Sequence, residues 1–307
     1  MEFRIPQPMA VLDLSMSDGA TVMVRRHGNP RGPRLVLSHG NGFAIDAYFP
    51  FWRHFLHDCD VVVFDQRNHG WNPRHHKRGH TERQMADDMA SILRAIVAEF
   101  GERPAVGAFH SLSTTVSLLH AMQHGCPWDV LVLFDPPLAP PPGHPQHSAA
   151  RNFERGLHDW AQRRQRAFRD TAELARYFKG SRRLRRWVPG AAELMAGAIT
   201  RPADNGAGIE LVCPPEWEAD IYLENANAPT WSILPRLVDR LLVVSSDYDA
   251  ADVDPPGLVS KALISDFGIE VVPIGDTGHL LQIERPQEVQ KVVRACMRSR
   301  GFKLEAA

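Results

Sequence analysis

Short apolar runs alternate along the chain with longer stretches in which apolar residues recur at helical spacing. The apolar runs lie at residues 34–38, 61–64, 104–106, 131–134, 241–244 and 269–272. They are rich in Val and Leu and show little alternation between apolar and polar positions. Continuous apolar strands separated by helical segments are typical of a mostly parallel β-sheet covered on both faces. The pattern therefore predicts an α/β fold.

The N-terminal region has a different pattern. Residues 10–15 and 21–25 read as strands, and the turn residues Ser17, Asp18 and Gly19 lie between them. This arrangement predicts an antiparallel hairpin at one edge of the sheet.

The composition of the chain changes after Pro136. A proline-rich exit at residues 136–143 is followed by a long segment of helical pattern that is rich in Arg and aromatic residues. We predict a core of residues 1–137 and 230–307, interrupted by a helical cap at residues 138–229. The basic cluster at residues 182–186 is expected to face solvent, with an anionic substrate group as the alternative.

Composition narrows the class of protein. The chain has 307 residues, a hydrophobic fraction of 44% and a formal net charge of −1. This balance argues against a general nucleic-acid binder. No apolar run is long enough for a membrane span, and the N-terminus lacks the layout of a signal peptide. The four cysteines contain no C-x-x-C pair, so a cytoplasmic protein with reduced thiols is expected.

Polar or small residues follow several of the predicted strands. These segments are His39 to Gly42, residues 65–70, residues 245–249 and Gly275 to His279. Ligands of such sheets bind beyond the carboxyl ends of the strands. Side chains capable of chemistry are therefore expected along one edge of the sheet.

Ser111 stands between a predicted strand and a predicted helix. A serine on such a turn is held clear of the sheet, and the helix start offers a free N–H and the positive end of a dipole to an oxyanion. Ser111 is therefore the candidate nucleophile. The alternative is that Ser111 only caps the helix, as many serines at this position do.

These residues together resemble the α/β-hydrolase fold superfamily, over nearly the whole chain outside the cap. The most specific match is Gly278-His279, followed by Glu284 and Pro286, which is similar to the G-H-x-x-x-x-E-x-P signature around the catalytic histidine. The segment His39 to Gly42 is similar to the oxyanion loop, and Arg67 to Gly70 to the R-G-H-G-type turn. The order serine, acid, histidine also matches.

The resemblance implies roles for individual residues. Ser111 is expected as nucleophile, His279 as general base and Asp249 as the acid that orients His279. The N–H groups of Leu112 and of Asn41 or Gly42 are expected to bind the oxyanion. Asp135 is the main alternative acid, since some relatives carry the acid after the strand that follows the nucleophile. Asp247 and Asp252 are weaker alternatives.

One departure from the superfamily pattern concerns the turn itself. In the usual G-x-S-x-G motif glycine flanks the serine, whereas here Phe109 and Ser113 take those two positions. Small residues are expected there because the strained turn brings its neighbours close. Ser113 is small, but Phe109 has to be accommodated. Making Ser113 the nucleophile instead gives a poorer match.

Phe43 and His110 are the expected substrate-binding residues. With Trp160, Trp187 and Trp217 of the cap, Phe43 favours a small-molecule acyl substrate that is apolar or aromatic. The alternative is that these aromatic residues form the core of the cap itself, which is the more common role of aromatic residues in a cap helix. No cofactor is expected. His75, His76 and His80 lie close together, but no carboxylate or thiolate pattern completes a metal site, so none is expected.

The function expected from these features is that of a serine hydrolase that cleaves a carboxylic ester or related acyl compound. A C–C bond hydrolase or lactonase with the same three residues is an alternative. A ligand-binding protein that keeps the fold without the chemistry is another, and Phe109 is the feature that favours it. Dehalogenases and epoxide hydrolases of this fold are expected to carry Asp at the position of Ser111. The serine at this position therefore argues against both of these activities.

Overall fold

The computed structural model describes residues 3–181, 185–204 and 206–304. The strands are β1 (Ala10–Ser15), β2 (Thr21–Gly28), β3 (Arg34–Ser38), β4 (Asp60–Phe64), β5 (Ala105–His110), β6 (Val130–Phe134), β7 (Ala167–Phe168), β8 (Thr200–Pro202), β9 (Ile209–Leu211), β10 (Leu241–Ser245) and β11 (Glu270–Pro273). In the described chain, eight of them form one sheet in the order β1-β2-β4-β3-β5-β6-β10-β11.

The helices pack on this sheet and in a segment beside it. They are α1 (Phe49–Trp52), α2 (Glu82–Phe100), α3 (Leu112–His124), α4 (His147–Gln162), α5 (Thr171–Gly180), α6 (Ala191–Ala198), α7 (Pro215–Asn225), α8 (Pro255–Phe267), α9 (Leu281–Glu284) and α10 (Pro286–Ser299). Short 3-10 helices lie at Ile45–Tyr48, Arg53–Phe55, Lys77–Gly79, Pro229–Arg236 and Val238–Arg240. Of the described helices, none combines the length and the apolar character that crossing a membrane requires.

The main sheet is parallel from β4 to β11, as predicted. The hairpin of β1 and β2 is antiparallel and joins the edge of the sheet through the antiparallel pair β2 and β4. The central strands β3, β4, β6 and β10 are buried at every position. Full burial explains why their sequences are continuous apolar runs without alternation. Two apolar clusters cover the two faces of the sheet.

Strand β5 is longer than its apolar run indicates. It extends to His110, past the run at residues 104–106, and Ser111 follows it directly. Gly107, Ala108 and Phe109 pair with β3 and β6 on either side. Because β5 is held between β3 and β6, the end of β5 at His110 fixes the position of Ser111.

The chain between β6 and β10 forms an insertion, which carries helices α4 to α7. It also contains a small antiparallel sheet in the order β7-β9-β8, which the helical pattern did not predict. Within the insertion α4 packs against α7, and α5 against α6. The boundaries at residues 138 and 229 remain a prediction. Of the basic cluster, residues 182–184 lie outside the described residues, and Arg186 pairs with Asp276.

Candidate active site

Ser111 occupies a strained turn between β5 and α3. Its backbone has φ 50° and ψ −117°, a combination that non-glycine residues rarely adopt. Ser111 is the N-terminal flanking residue of α3, yet its side chain makes no capping hydrogen bond. The alternative in which Ser111 caps the helix is therefore wrong, and its hydroxyl is available for another partner.

The residues that flank Ser111 show how the turn forms without the usual glycines. The hydroxyl of Ser113 donates to the carbonyl of His110 and accepts the N–H of His110, both at 2.9 Å. Phe109 is fully buried, with its ring 5.3 Å from that of Trp128 and 6.5 Å from that of Phe64. Phe109 therefore points away from the turn into the apolar layer.

Two glycines nearby make this arrangement possible. A Cβ atom on Gly107 would lie 2.6 Å from Trp128 and 2.7 Å from Phe109, so the missing side chain at Gly107 leaves the room that both rings occupy. A Cβ atom on Gly40 would lie 3.1 Å from Cβ of Ser111. The absence of a side chain at Gly40 therefore allows the loop after β3 to lie this close to Ser111.

His279 connects Ser111 to Asp135. The Nε2 atom of His279 lies 3.0 Å from Oγ of Ser111, and Nδ1 lies 2.6 Å from Oδ2 of Asp135. An ionised carboxylate only accepts hydrogen bonds, so Nδ1 carries the proton in neutral His279. Nε2 then has a free lone pair and accepts the hydroxyl proton of Ser111. The three side chains form one continuous hydrogen-bonded chain.

The structure corrects the expected acid. Asp249 does not reach His279: its side chain is 67% exposed, and it bonds to Lys261. Asp135 is fully buried, and its Oδ1 accepts the N–H of Ser246 at 2.9 Å and its hydroxyl at 2.8 Å. Strands β6 and β10 are neighbours in the sheet, so their carboxyl ends lie side by side and either could have supplied the acid. The partner that His279 meets is the one after β6.

The environment of His279 adjusts its basicity. Burial lowers the pKa of His279, but the hydrogen bond and the charge of Asp135 outweigh it, and the net result is a raised pKa. Asp254 and Glu154 act in the same direction as Asp135. A histidine with a raised pKa is a stronger base, although a larger fraction of it is protonated at neutral pH.

The loop after β3 carries the expected oxyanion donors, and the structure separates them. Asn41 and Leu112 line the space around Ser111 and His279. Gly42 does not qualify as expected, because its N–H donates to Nε2 of His69 at 3.1 Å. The first N–H groups of a helix have no partner within the helix, so the N–H of Leu112 can face a ligand. Asn41 and Leu112 therefore remain the candidate pair.

His110 lies behind the site and does not bind substrate as expected. Its Nε2 is 2.8 Å from the carbonyl oxygen of His279, and its Nδ1 is 2.8 Å from the hydroxyl of Tyr48, which also accepts the N–H of Gly40. Burial and the charge of His279 hold the pKa of His110 well below its usual range. Neutral His110 therefore links the loop at Gly40 to the backbone of His279 and fixes both.

The other expected binding residues also lie elsewhere. Phe43 is half-buried and packs against an apolar cluster. Trp160 is 43% exposed, Trp187 stacks on Phe178, and Trp217 lies against His80. Among the described residues, none of these four aromatic side chains lines the space above Ser111. The prediction of a pocket built from them is therefore wrong.

The space above Ser111 is small and partly polar. It has a volume of about 20 Å³, close to that of a single water, so a substrate requires movement of the insertion. Its upper wall consists of Phe153, Glu154 and Leu157 of α4 with Ile221, Tyr222 and Asn225 of α7. Larger clefts of about 980 and 1050 Å³ lie elsewhere on the described surface, away from Ser111 and His279.

Glu154 is a site residue that sequence reasoning missed. On α4 the residues Ala150, Phe153, Glu154, Leu157 and Ala161 follow the spacing of one helix face. The signal in the sequence was a single acidic residue on a helix face that is otherwise apolar. Its significance depended on knowing that this face covers Ser111.

Two features describe how α7 meets the loop after β3. The side-chain amide of Asn41 donates to the main-chain carbonyl of Glu218 at 2.8 Å. A Cβ atom on Gly42 would lie 2.5 Å from the Glu218 carboxylate, and Gly42 has φ +71°. Helix α7 therefore sits directly on the loop.

Metal ligands are not gathered in the described structure. Across residues 3–181, 185–204 and 206–304, no three His, Cys, Asp or Glu side chains are grouped as a metal ion requires. His75 and His76 stack on each other, and His80 contacts Cys213 and Trp217.

Comparison with protein families identifies the class that this fold and site define. Residues 35–292 match the model of the alpha/beta hydrolase family. The chain therefore belongs to the alpha/beta hydrolase family, and this membership supports hydrolase activity on a small molecule. None of the curated proteins compared with the chain matches it.

Solved structures with the same fold include several hydrolases. A crystal structure of E-2-(acetamidomethylene)succinate hydrolase is 19% identical, with a TM-score of 0.70, and the match covers 94% of this chain and 99% of that one. The thioesterase domain from the curacin biosynthetic pathway is 17% identical, with a TM-score of 0.69 and coverage of 93% and 99%. An esterase from Thermogutta terrifontis is 20% identical, with a TM-score of 0.66 and coverage of 95% and 99%. At these identities the likeness shows the fold alone.

Proposed function

We propose that the protein is a serine hydrolase that cleaves carboxylic esters through an acyl-enzyme intermediate. The observation that carries the proposal is the hydrogen-bonded chain from Ser111 through His279 to Asp135, with distances of 3.0 and 2.6 Å. A serine hydroxyl is a poor nucleophile unless a base removes its proton, and His279 is placed to do so.

In the first half of the reaction Oγ of Ser111 attacks the carbonyl carbon, and its proton passes to Nε2 of His279. The charge on the imidazolium is stabilised by Asp135, whose own orientation is held by Ser246. Collapse of the tetrahedral intermediate breaks the bond to the leaving alcohol, which takes the proton from His279. Ser111 is left esterified to the acyl group.

In the second half a water molecule attacks the acyl carbon and gives its proton to His279. The second tetrahedral intermediate expels Oγ of Ser111, which regains a proton from His279, and the carboxylic acid leaves. In both intermediates the negative oxygen lies between the N–H groups of Asn41 and Leu112. One such donor typically contributes about 3–4 kcal/mol to the transition state.

Replacement of Ser111 with Ala tests the proposal. We expect hydrolysis of p-nitrophenyl acetate to fall by on the order of 10³-fold or more, because the nucleophile is lost while the fold is kept. Activity in Ser111→Ala equal to that of the wild type would contradict the proposal. A fluorophosphonate probe should label Ser111 in the wild type.

A panel of esters, lactones and ring-cleavage products separates the proposed esterase from its alternatives. Preference for lactones or for C–C bond cleavage would instead assign the protein as a lactonase or a C–C bond hydrolase that uses the same three residues. Absence of any turnover together with absence of labelling at Ser111 would favour the non-catalytic binder.

A further inference from the structure

A buried carboxyl group faces the space above Ser111. Glu154 on α4 is 5% exposed and lines the same space as Ser111 and His279. Within the described part of the chain, its Oε2 atom is buried and has no hydrogen-bond partner. A buried carboxyl oxygen without a donor is unfavourable, and a donor on a bound molecule removes that cost. The position of Glu154 therefore indicates contact with a ligand.

Glu218 on α7 provides the comparison. It is 1% exposed, but its carboxylate pairs with Arg164 and accepts the hydroxyl of Tyr222 at 3.3 Å. A glutamate buried for structural reasons in this insertion thus has both a cation and a donor beside it. Among the described residues Glu154 makes no ion pair with a Lys or Arg; the amide of Asn225 lies beside its carboxyl group, while Oε2 has no partner.

Glu154 belongs to a group of buried or half-buried acidic side chains. Glu82 and Glu224 lie nearby, where Oε2 of Glu224 accepts the N–H of Glu82 at 2.8 Å. Burial, followed by the charges of Glu224 and Glu154, raises the pKa of Glu82 well above its usual range. Burial likewise raises the pKa of Glu154 to about 7, although the amide of Asn225 and the charge of His279 act in the opposite direction. Because burial disfavours the carboxylate form of Glu154, a cationic donor beside Oε2 would offset that cost more than a neutral donor would.

We propose that Glu154 binds a protonated amine of the substrate, so that the preferred substrates are esters carrying a basic amine a few bonds from the scissile carbonyl. Glu154 and Ser111 line the same space, so a substrate that enters it contacts both. The amine N–H donates to Oε2, while Phe153 and Leu157 contact the apolar part of the molecule. This inference rests on the hydrolase function proposed above.

Two matched pairs of esters test the inference on either side of the scissile bond. Phenylalanine ethyl ester and ethyl 3-phenylpropanoate differ by an ammonium group in the acyl part. Dimethylaminoethyl acetate and 3-methylbutyl acetate differ by a protonated nitrogen in the alcohol part. The ratio of kcat/KM for the charged and the neutral member is measured in each pair. The same compounds are tested as competitors of fluorophosphonate labelling of Ser111, which measures selectivity even where turnover is slow.

The variant that tests the contact is Glu154→Gln, and its control is Asp159→Asn. Asp159 lies on the same helix, and its side chain is 65% exposed, so the control removes the same charge without touching the site. We expect the wild type to prefer the charged member of at least one pair by about tenfold, and Glu154→Gln to lose about tenfold of that preference. The neutral ester reports any effect of Glu154 on His279, whose pKa it helps to raise, so selectivity is taken from the ratio within each pair; Asp159→Asn should behave like the wild type.

Three results would overturn the inference alone. The first is a wild type that prefers the charged member of neither pair, in turnover and in competition. The second is an equal loss for both members in Glu154→Gln, with a lowered thermal unfolding midpoint, which would show a structural role. The third is Ser111-dependent hydrolysis in which Glu154→Gln has the same selectivity as the wild type. If neither labelling nor Ser111-dependent hydrolysis of the neutral esters occurs, the proposed function fails and the inference fails with it.

Discussion

At the scale of single residues, Asp135 and Asp249 differ in burial and in the partners of their carboxylates. Asp135 is fully buried and receives two hydrogen bonds from Ser246, which fix the orientation that His279 requires. Asp249 is exposed and bonds to Lys261, and an exposed pair of this kind contributes little. The two aspartates therefore form a matched pair for mutation.

Asp135→Asn should lower kcat/KM for p-nitrophenyl acetate by on the order of 10³-fold or more, because an amide neither fixes the tautomer of His279 nor stabilises its charge. Asp249→Asn should retain activity within about twofold. Steady-state kinetics of both variants provide the measurement. A large loss in Asp249→Asn with little loss in Asp135→Asn would restore the assignment of Asp249.

The raised pKa of His279 makes a prediction about pH. Catalysis needs neutral His279, so kcat/KM should rise with pH and reach half its maximum above pH 6.5, the ordinary pKa of histidine. Asp135→Asn removes the hydrogen bond and the charge that raise the pKa most, while burial, Asp254 and Glu154 remain, so the midpoint of the residual activity should move down. Profiles measured from about pH 5 to about pH 9 test this. A wild-type midpoint at or below 6.5 would argue against it.

At the scale of elements, β5 accommodates the large side chain of Phe109 because Gly107 on the same strand has no side chain. The missing side chain of Gly107 and the ring of Phe109 together fill the space against Trp128. The departure from the usual motif is thus a matter of packing on the face of the sheet away from the serine. It gives no structural reason for slow chemistry.

Restoring the usual glycine should therefore harm the protein. Phe109→Gly removes a fully buried ring and leaves a cavity beside Trp128, so the free energy of unfolding should fall by about 3–5 kcal/mol. Phe109→Leu keeps most of the volume and should lose clearly less. Denaturant unfolding of the two variants is the measurement. A Phe109→Gly protein as stable as the wild type would show that the ring carries no packing energy.

The strands of the main sheet could be predicted because each is buried on both faces and therefore reads as a continuous apolar run. Strands β7, β8 and β9 have only two or three residues each, and none of them is buried at every position, so they leave no such run. The serine and the histidine of the hydrogen-bonded chain could be predicted because local motifs mark them. The acid was not, because β6 and β10 are adjacent and parallel, and the sequence does not show which of their ends turns toward His279.

At the scale of the whole molecule, buried neutral histidines link stability to pH. Burial lowers the pKa of His27 and of His39 to about 4, and that of His69 to about 3. Below about pH 6.5 the unfolded chain binds protons that these folded residues do not, so their contribution to the free energy of unfolding falls as pH decreases toward 4. Buried carboxyl groups with a raised pKa act in the opposite direction, among them Glu154, with a pKa of about 7, and Glu82, so the contribution of a histidine has to be isolated by mutation.

His27 isolates this effect, since both of its ring nitrogens are buried without a partner in the described structure. His27→Leu should reduce the loss of stability between about pH 6.5 and about pH 4 by up to about 3 kcal/mol, because the variant has no proton to gain on unfolding. The exposed residue His76 gives the control, and His76→Leu should follow the wild type. Urea unfolding across this pH range is the measurement. Parallel curves for His27→Leu and the wild type would contradict the prediction.

The hydrogen bond from Asn41 to Glu218 has a consequence for engineering this protein. It joins α7, which would be mutated to change substrate preference, to the loop after β3. In the proposed mechanism that loop stabilises the negative charge that develops on the substrate oxygen. Substitutions in α7 intended to enlarge the site therefore act on kcat as well as on KM, and a library screened for binding alone would select variants with a displaced loop. Residues of α4, which contact the same space without this hydrogen bond, are the better positions at which to begin.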